Sequence, residues 1–167
     1  STYTKVIFNG DVTIKASPIM ERCTFNGNVD ITEGSATGDY VKCVFTKPYT
    51  HKSKMQDRFT RCKFPNPFTI VSNSKGYFDD CEGFAINAAL AKNLAVVFDG
   101  GIWSLLDMTD VTGELLLRGD IIMKSGTDVT GWTKPTTTTF PSGAITINPY
   151  TGAGWANRKG IWTPVQY

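Results

Sequence analysis

Four cysteines set the frame of this chain. Cys23, Cys43, Cys62 and Cys81 are separated by 20, 19 and 19 residues. A nearly constant interval of this length is the mark of a repeat architecture, in which each repeat is too small to bury its own apolar side. The frame continues in both directions. Val6 lies 17 residues before Cys23, Gly101 lies 20 after Cys81, and Asp120 lies 19 after Gly101.

Two further columns test the frame independently. Two positions after each register point stand Phe8, Phe25, Phe45, Phe64, Gly83, Trp103 and Ile122. Three positions before stand Tyr3, Met20, Tyr40, Phe59, Phe78, Phe98 and Leu117. Each column is aromatic at five of seven places, where a 12% aromatic content gives about 0.8 by chance. Six and eight positions on, the pairs Val12 and Ile14, Val29 and Ile31, Tyr49 and His51, and Phe68 and Ile70 alternate as a strand with one buried face does. These patterns predict an all-β chain, a single-chain parallel β-helix of about 19–20 residues per coil. Coils rise by about 4.8 Å, the spacing of paired strands, so Phe falls over Phe and Cys over Cys. Spacings of 17 to 20 do not fit a hexapeptide helix and favour the right-handed form. The inward positions change parity between the −3 column and the register point, so a corner is expected there. Asn9-Gly10 and Asn26-Gly27 recur one coil apart, as a stacked turn should.

One stretch competes with the frame. Phe84 to Leu94 is rich in helix formers and locally reads as helix. The frame runs unbroken across it from Cys81 to Gly101, so it is kept in the solenoid. From about Asp128 the period is lost, and Thr136 to Thr139, Pro135, Pro141, Trp132, Trp155 and Trp162 replace it. Ala144 to Ile147 and Gly160 to Trp162 read as short strands. A solenoid end exposes unpaired strand edges. Residues 1–128 are therefore expected to form about seven coils, and residues 129–167 a β cap or oligomerisation segment.

Composition narrows the function classes only a little. A chain with 41% apolar and 19% charged residues has a folded core. No apolar run approaches the roughly 18 residues of a membrane helix, so no membrane insertion is expected. No leader pattern is visible at Ser1, which fits a removed leader or a piece of a longer protein. Residues 1–63 hold ten Lys and Arg against six Asp and Glu, and residues 64–167 hold seven against nine. That mild basic bias falls short of a nucleic-acid footprint.

The chemistry-bearing residues each have a plain structural reading beside the functional one. The cysteine interval is wrong for zinc ligands, which come in close pairs, so reduced core cysteines are expected and no metal or cofactor. Neighbouring cysteines in register rarely meet the torsion a disulfide needs. Lys5, Arg22, Lys42 and Arg61 each precede a register point. They form either an outward basic ridge that meets an anionic polymer, such as a phosphate-bearing glycan, or solvated side chains offset by acids such as Glu21 and Asp57. His51 sits at an inward place with no nucleophile identified to serve. Paired carboxylates can cleave glycosides, and Asp79, Asp80 and Asp107 are candidates, with Asp99 and Asp110 nearby. Turns favour Asp for structural reasons alone. Trp132, Trp155 and Trp162, with Tyr150, either stack on sugars or form the core of the cap. Arg118-Gly119-Asp120 spells an adhesive tripeptide, but Asp120 falls on a register point and reads as a corner. There is no N-glycosylation sequon, phosphate-binding loop or dinucleotide fingerprint.

Loose aromatic-rich coils, carried by the Phe and Cys columns through Cys81, precede a Thr-, Gly-, Pro- and Trp-rich segment from Trp132 to Tyr167. Together they resemble part of a bacteriophage tail spike or tail appendage protein. No catalytic signature of that family maps onto these residues. The resemblance implies a homotrimer of side-by-side solenoids in a virion tail, assembled in the host cytoplasm and attaching to bacterial surface polysaccharide. It also leaves two other functions open: a polysaccharide hydrolase or lyase on the same scaffold, and a C-terminal trimerisation (chaperone) module.

Overall fold

The computed structural model describes residues 1–31, 37–88 and 90–107. Beyond them it describes the backbone of strands within 113–123, 145–149, 153–158 and 161–166. The described chain is all β, wound as a solenoid of about five turns. Each of the first turns has three short sides. The first turn comprises β1 (Thr2–Thr4), β2 (Ile7–Phe8) and β3 (Val12–Ile14), and the second β4 (Ile19–Glu21), β5 (Thr24–Phe25) and β6 (Val29–Ile31). The third comprises β7 (Asp39–Val41), β8 (Val44–Phe45) and β9 (Tyr49–His51), and the fourth β10 (Asp57–Thr60), β11 (Lys63–Phe64) and β12 (Phe68–Ile70). In the fifth, β13 (Lys75–Asp79) is followed by β14 (Glu82–Asn87), which continues two sides: its start pairs with β11 and its end with β12. β15 (Leu94–Asp107) then runs along β13 and β14 together.

All pairings between turns are parallel, and the columns lie where the interval places them. Tyr3 pairs with Met20, Met20 with Tyr40, Tyr40 with Phe59, Phe59 with Phe78 and Phe78 with Phe98. The second column runs Phe8, Phe25 and Phe45 by backbone register, and Phe45 stacks on Phe64 with ring centroids 4.9 Å apart. Phe59, Phe64, Phe68, Phe78, Phe98 and Trp103 are fully buried. Rings within a column stack nearly parallel, as Tyr40 on Phe59 does at 4.7 Å, while across columns Phe64 meets Phe78, and Phe98 meets Trp103, edge to face. This is the geometry that favours the aromatic quadrupole.

Two register expectations need correction. The stretch from Phe84 that reads locally as helix holds its place in the solenoid instead: it opens within β14, with Ile86 under Phe68 in the core. That pairing is eighteen residues on from Phe68, one short of the cysteine interval. β16 (Gly113–Met123) follows the −3 column, with Leu117 under Phe98, but then gains a residue. A bulge between Asp99 and Gly101 sets Gly101 against Ile121 and Trp103 against Met123. The register point is therefore Ile121 rather than Asp120, and Met123 rather than Ile122 continues the second column. A bulge of this kind inserts one residue on one strand and re-aims the side chains beyond it.

β17 (Ile145–Pro149) pairs in parallel with β16, while β18 (Ala153–Arg158) and β19 (Ile161–Gln166) form an antiparallel hairpin.

Candidate functional site

The corner after each −3 aromatic is made by one residue in the left-handed region. Lys5, Arg22, Lys42, Arg61 and Asp80 have φ between 50° and 56°, and Gly100 follows at 67°. This single residue turns the chain between two sides of the coil. Its amide donates to the next turn: Lys5 N to Glu21 O, Arg22 N to Val41 O, Lys42 N to Thr60 O and Arg61 N to Asp79 O, each at 2.8 Å. The residue two further on donates the other way, as Thr24 N does to Val6 O and Val44 N to Cys23 O. The corner thus keeps the backbone ladder intact while its side chain points to solvent.

The cysteine beside that corner is buried and reduced on turns two to five, with Val6 in its place on the first. Its thiol donates to the carbonyl of the −3 residue one turn earlier: Cys43 Sγ to Met20 O at 3.4 Å, Cys62 to Tyr40 O at 3.2 Å and Cys81 to Phe59 O at 3.4 Å. A small apolar side chain with one weak donor suits this place. Burial pushes the thiols of Cys23 and Cys62 up, and the Cys62 hydrogen bond followed by burial does so for Cys43, so they are poor nucleophiles.

Outside, the sequence-predicted cations Lys5, Arg22, Lys42 and Arg61 do form one exposed ridge, rising by about 4.8 Å per turn. Its lower end is closed by acids. Arg61 Nε lies 3.3 Å from Asp80 Oδ2, Lys63 Nζ 3.5 Å from Glu82 Oε1, and Arg58 3.8 Å from Asp79 Oδ2. Arg22 Nε meets Glu21 beside it at 3.5 Å. Among the described residues Lys5 and Lys42 make no ion pair. The positive end is therefore turns one to three. Asp57 does not offset the ridge, contrary to the sequence expectation. It is buried, with Oδ1 accepting the Gly38 amide at 2.7 Å, and burial raises its carboxyl above the usual range.

Of the candidate acids, Asp79 and Asp80 each lie in an ion pair with an arginine. Asp80 occupies the left-handed corner and pairs with Arg61. Asp79 lies over Asp99 on the next turn, yet Arg58 holds the first and the Tyr77 hydroxyl donates to the second at 2.8 Å. Arg58 also lies 5.5 Å from the Tyr77 ring centre. Asp107 ends β15 opposite Asn87 on the backbone. Asp110 and Trp132 lie outside the described residues, and Trp155 and Trp162 are placed only by backbone, opposite Pro164 and Asn157.

His51 is fully buried against Phe68 and Phe78. Its Nε2 lies 2.6 Å from Lys75 O, and its Nδ1 lies 3.2 Å from the Tyr49 hydroxyl. The carbonyl can only accept, so Nε2 carries the proton and Nδ1 accepts from Tyr49. Burial lowers its pKa to about 4. It is a structural, neutral histidine. The signal for this interior polar line lies in the sequence at five before the register points, where Gly38 and Gly76 flank Asp57. A Cβ at Gly76 would stand 2.6 Å from His51 Nε2.

Among the described residues no group of three or more His, Cys, Asp or Glu is arranged to hold a metal ion, and no helix is long and apolar enough to cross a membrane. Comparison with protein-family models, curated proteins and solved structures finds no match.

Proposed function

We propose that this chain is a surface-binding and assembly module of the bacteriophage tail-spike kind, which attaches as a homotrimer to an anionic cell-surface glycan. The carrying observation is the left-handed corner filled by four successive cations. A side chain with a Cβ costs roughly 1 kcal/mol in that conformation, and glycine or asparagine would be cheaper. Gly100 shows that glycine fits the same place further down. Retaining Lys or Arg on turns one to four points to a use for the charge. A ladder of cations one strand spacing apart suits a linear polymer with repeated phosphate or carboxylate groups lying along the solenoid axis.

The test is binding to linear polyphosphate and to a phosphate-bearing bacterial polysaccharide, with uncharged dextran as reference, by calorimetry at low and high salt. Replacing Lys5, Arg22 and Lys42 together by Gln is expected to weaken binding at least tenfold. Lys42→Gly separates charge from structure: stability stays equal or rises by up to about 1 kcal/mol while binding falls. Asp80→Asn releases Arg61 and is expected to strengthen binding. Equal affinity of the triple variant and the parent, or equal affinity for dextran, sinks the reading. Light scattering tests the trimer directly, and a monomer at all concentrations refutes that part.

A further inference from the structure

The basic ridge has a neighbouring column of matching extent. On the second side of the coil, Ile7, Thr24 and Val44 each stand between two residues of the inward columns: Val6 and Phe8, Cys23 and Phe25, Cys43 and Phe45. By strand alternation the three residues between face outward, two positions on from Lys5, Arg22 and Lys42. They are in register, Ile7 with Thr24 and Thr24 with Val44. On the next two turns Lys63 and Glu82 take this place and pair with each other. β-Branched residues suit any strand. What is particular here is that the uncharged column ends where the acids begin to close the ridge.

The other flank of the ridge carries Thr4, Glu21 and Val41, one position before each cation and in register with one another. Glu21 repels an anion on that side and holds Arg22 Nε at 3.5 Å. An anionic chain lying along the ridge is therefore set toward Ile7, Thr24 and Val44. The Arg22 guanidinium has donors beyond Nε with which to meet it. Rise is the second constraint. The cations climb by about 4.8 Å per turn, close to the length of one pyranose residue in an extended polysaccharide. A polyuronate carries one carboxylate on the edge of each ring and a face of C–H groups beside it. In step with the turns, each carboxylate meets one cation and each C–H face lies on one residue of the uncharged column. Polyphosphate carries its charge within the chain and has no apolar face.

We propose that the ligand of the ridge is a polyuronate, with three successive carboxylates on Lys5, Arg22 and Lys42 and the ring faces on Ile7, Thr24 and Val44. This rests on the reading of the ridge as a glycan-binding surface and narrows it to chains with one carboxylate per sugar. The cation column supplies charge and register, and the uncharged column distinguishes a sugar chain from any other polyanion.

The test is calorimetry on the full chain with galacturonate oligomers of increasing length, the same oligomers methyl-esterified, and polyphosphate. Affinity is expected to climb steeply up to the three-residue oligomer and to level off beyond it, because Lys5 to Lys42 covers two strand spacings. The ester keeps the rings and loses the charge, and is expected to bind at least tenfold more weakly. Ile7→Thr combined with Val44→Thr keeps β-branching at outward positions while removing apolar contact. It is expected to weaken the three-residue oligomer at least threefold and to leave polyphosphate binding unchanged. A double variant that binds this oligomer as the parent does overturns the proposal while the ridge reading stands on polyphosphate binding. So does an affinity that climbs evenly past three residues, because the register is then not used. An ester bound as tightly as the acid, or no binding of any of these polyanions, overturns the proposal and the ridge reading together.

Discussion

Acidification from pH 8 to pH 5 is expected to remove about 2 kcal/mol of folding stability through His51 alone. In the folded chain this imidazole is enclosed by Tyr49, Phe59, Phe68 and Phe78, and burial lowers its pKa to about 4. In the unfolded chain it titrates near the ordinary 6.5. The unfolded state thus binds the proton first, so stability falls as pH drops through 6.5. The loss levels off below pH 4 at about 3 kcal/mol. Asp57 acts in the opposite sense. Its raised pKa means that the folded state takes a proton more readily than the unfolded one, which favours folding as pH falls through the carboxylate range. The window from pH 8 to pH 5 isolates most of the histidine effect. The assay is urea unfolding at half-unit pH steps, for the parent and for His51→Gln, whose amide nitrogen replaces the Nε2 donor to Lys75 O but does not titrate. The parent is expected to lose stability across the window while His51→Gln stays level. The same slope in both proteins refutes the assignment, as does a His51 proton resonance that titrates near 6.5 in the folded state.

Two substitutions test the core. Phe45→Ala removes a ring that stacks on both Phe25 and Phe64 and touches Tyr40, Tyr49 and Phe59; it is expected to cost about 3–5 kcal/mol in chemical denaturation. Gly76→Ala drives a methyl group to 2.6 Å from His51 Nε2 and 3.1 Å from Phe78. With His51 bonded at both nitrogens the ring has little freedom to yield, and the loss is expected at roughly 1–3 kcal/mol in thermal unfolding.

The architecture was legible because it depends on one arithmetic fact, and that fact is written redundantly. The Cys column, the −3 column and the +2 column each carry the interval, so a single departure such as Met20 or Gly83 does not hide it. Gly83 is itself accounted for by the next turn: a Cβ there would meet the Trp103 ring at 2.4 Å, so the large indole takes the room. The shift to Ile121 and Met123 was not legible, because a bulge is a local backbone event and Gly100-Gly101 permits it without announcing it. The corner was expected from a change of parity, but its left-handed conformation was not, since Lys and Arg are not the residues that signal positive φ. The burial of Asp57 was missed for a related reason. Only the stacked register shows that Gly38 above and Gly76 below leave space for an inward carboxylate.

The same corner links fold to function. An ordinary solenoid corner would place asparagine or glycine where backbone strain is least, and the acid at Asp80 and the glycine at Gly100 follow that preference. The first four turns depart from it in one direction only, toward long cations. Their backbone amides are fully used between turns, so the side chains contribute nothing to the ladder that a glycine would lose. Below them, Asp80 and Glu82 neutralise Arg61 and Lys63, and the positive stretch ends within the solenoid instead of running its length. A ridge with a definite end is a surface of definite reach, about two strand spacings from Lys5 to Lys42. On the proposed function, a few charges at fixed rise would recognise the ligand, with modest affinity per chain. Several such ridges side by side would multiply it by effective concentration rather than by new contacts.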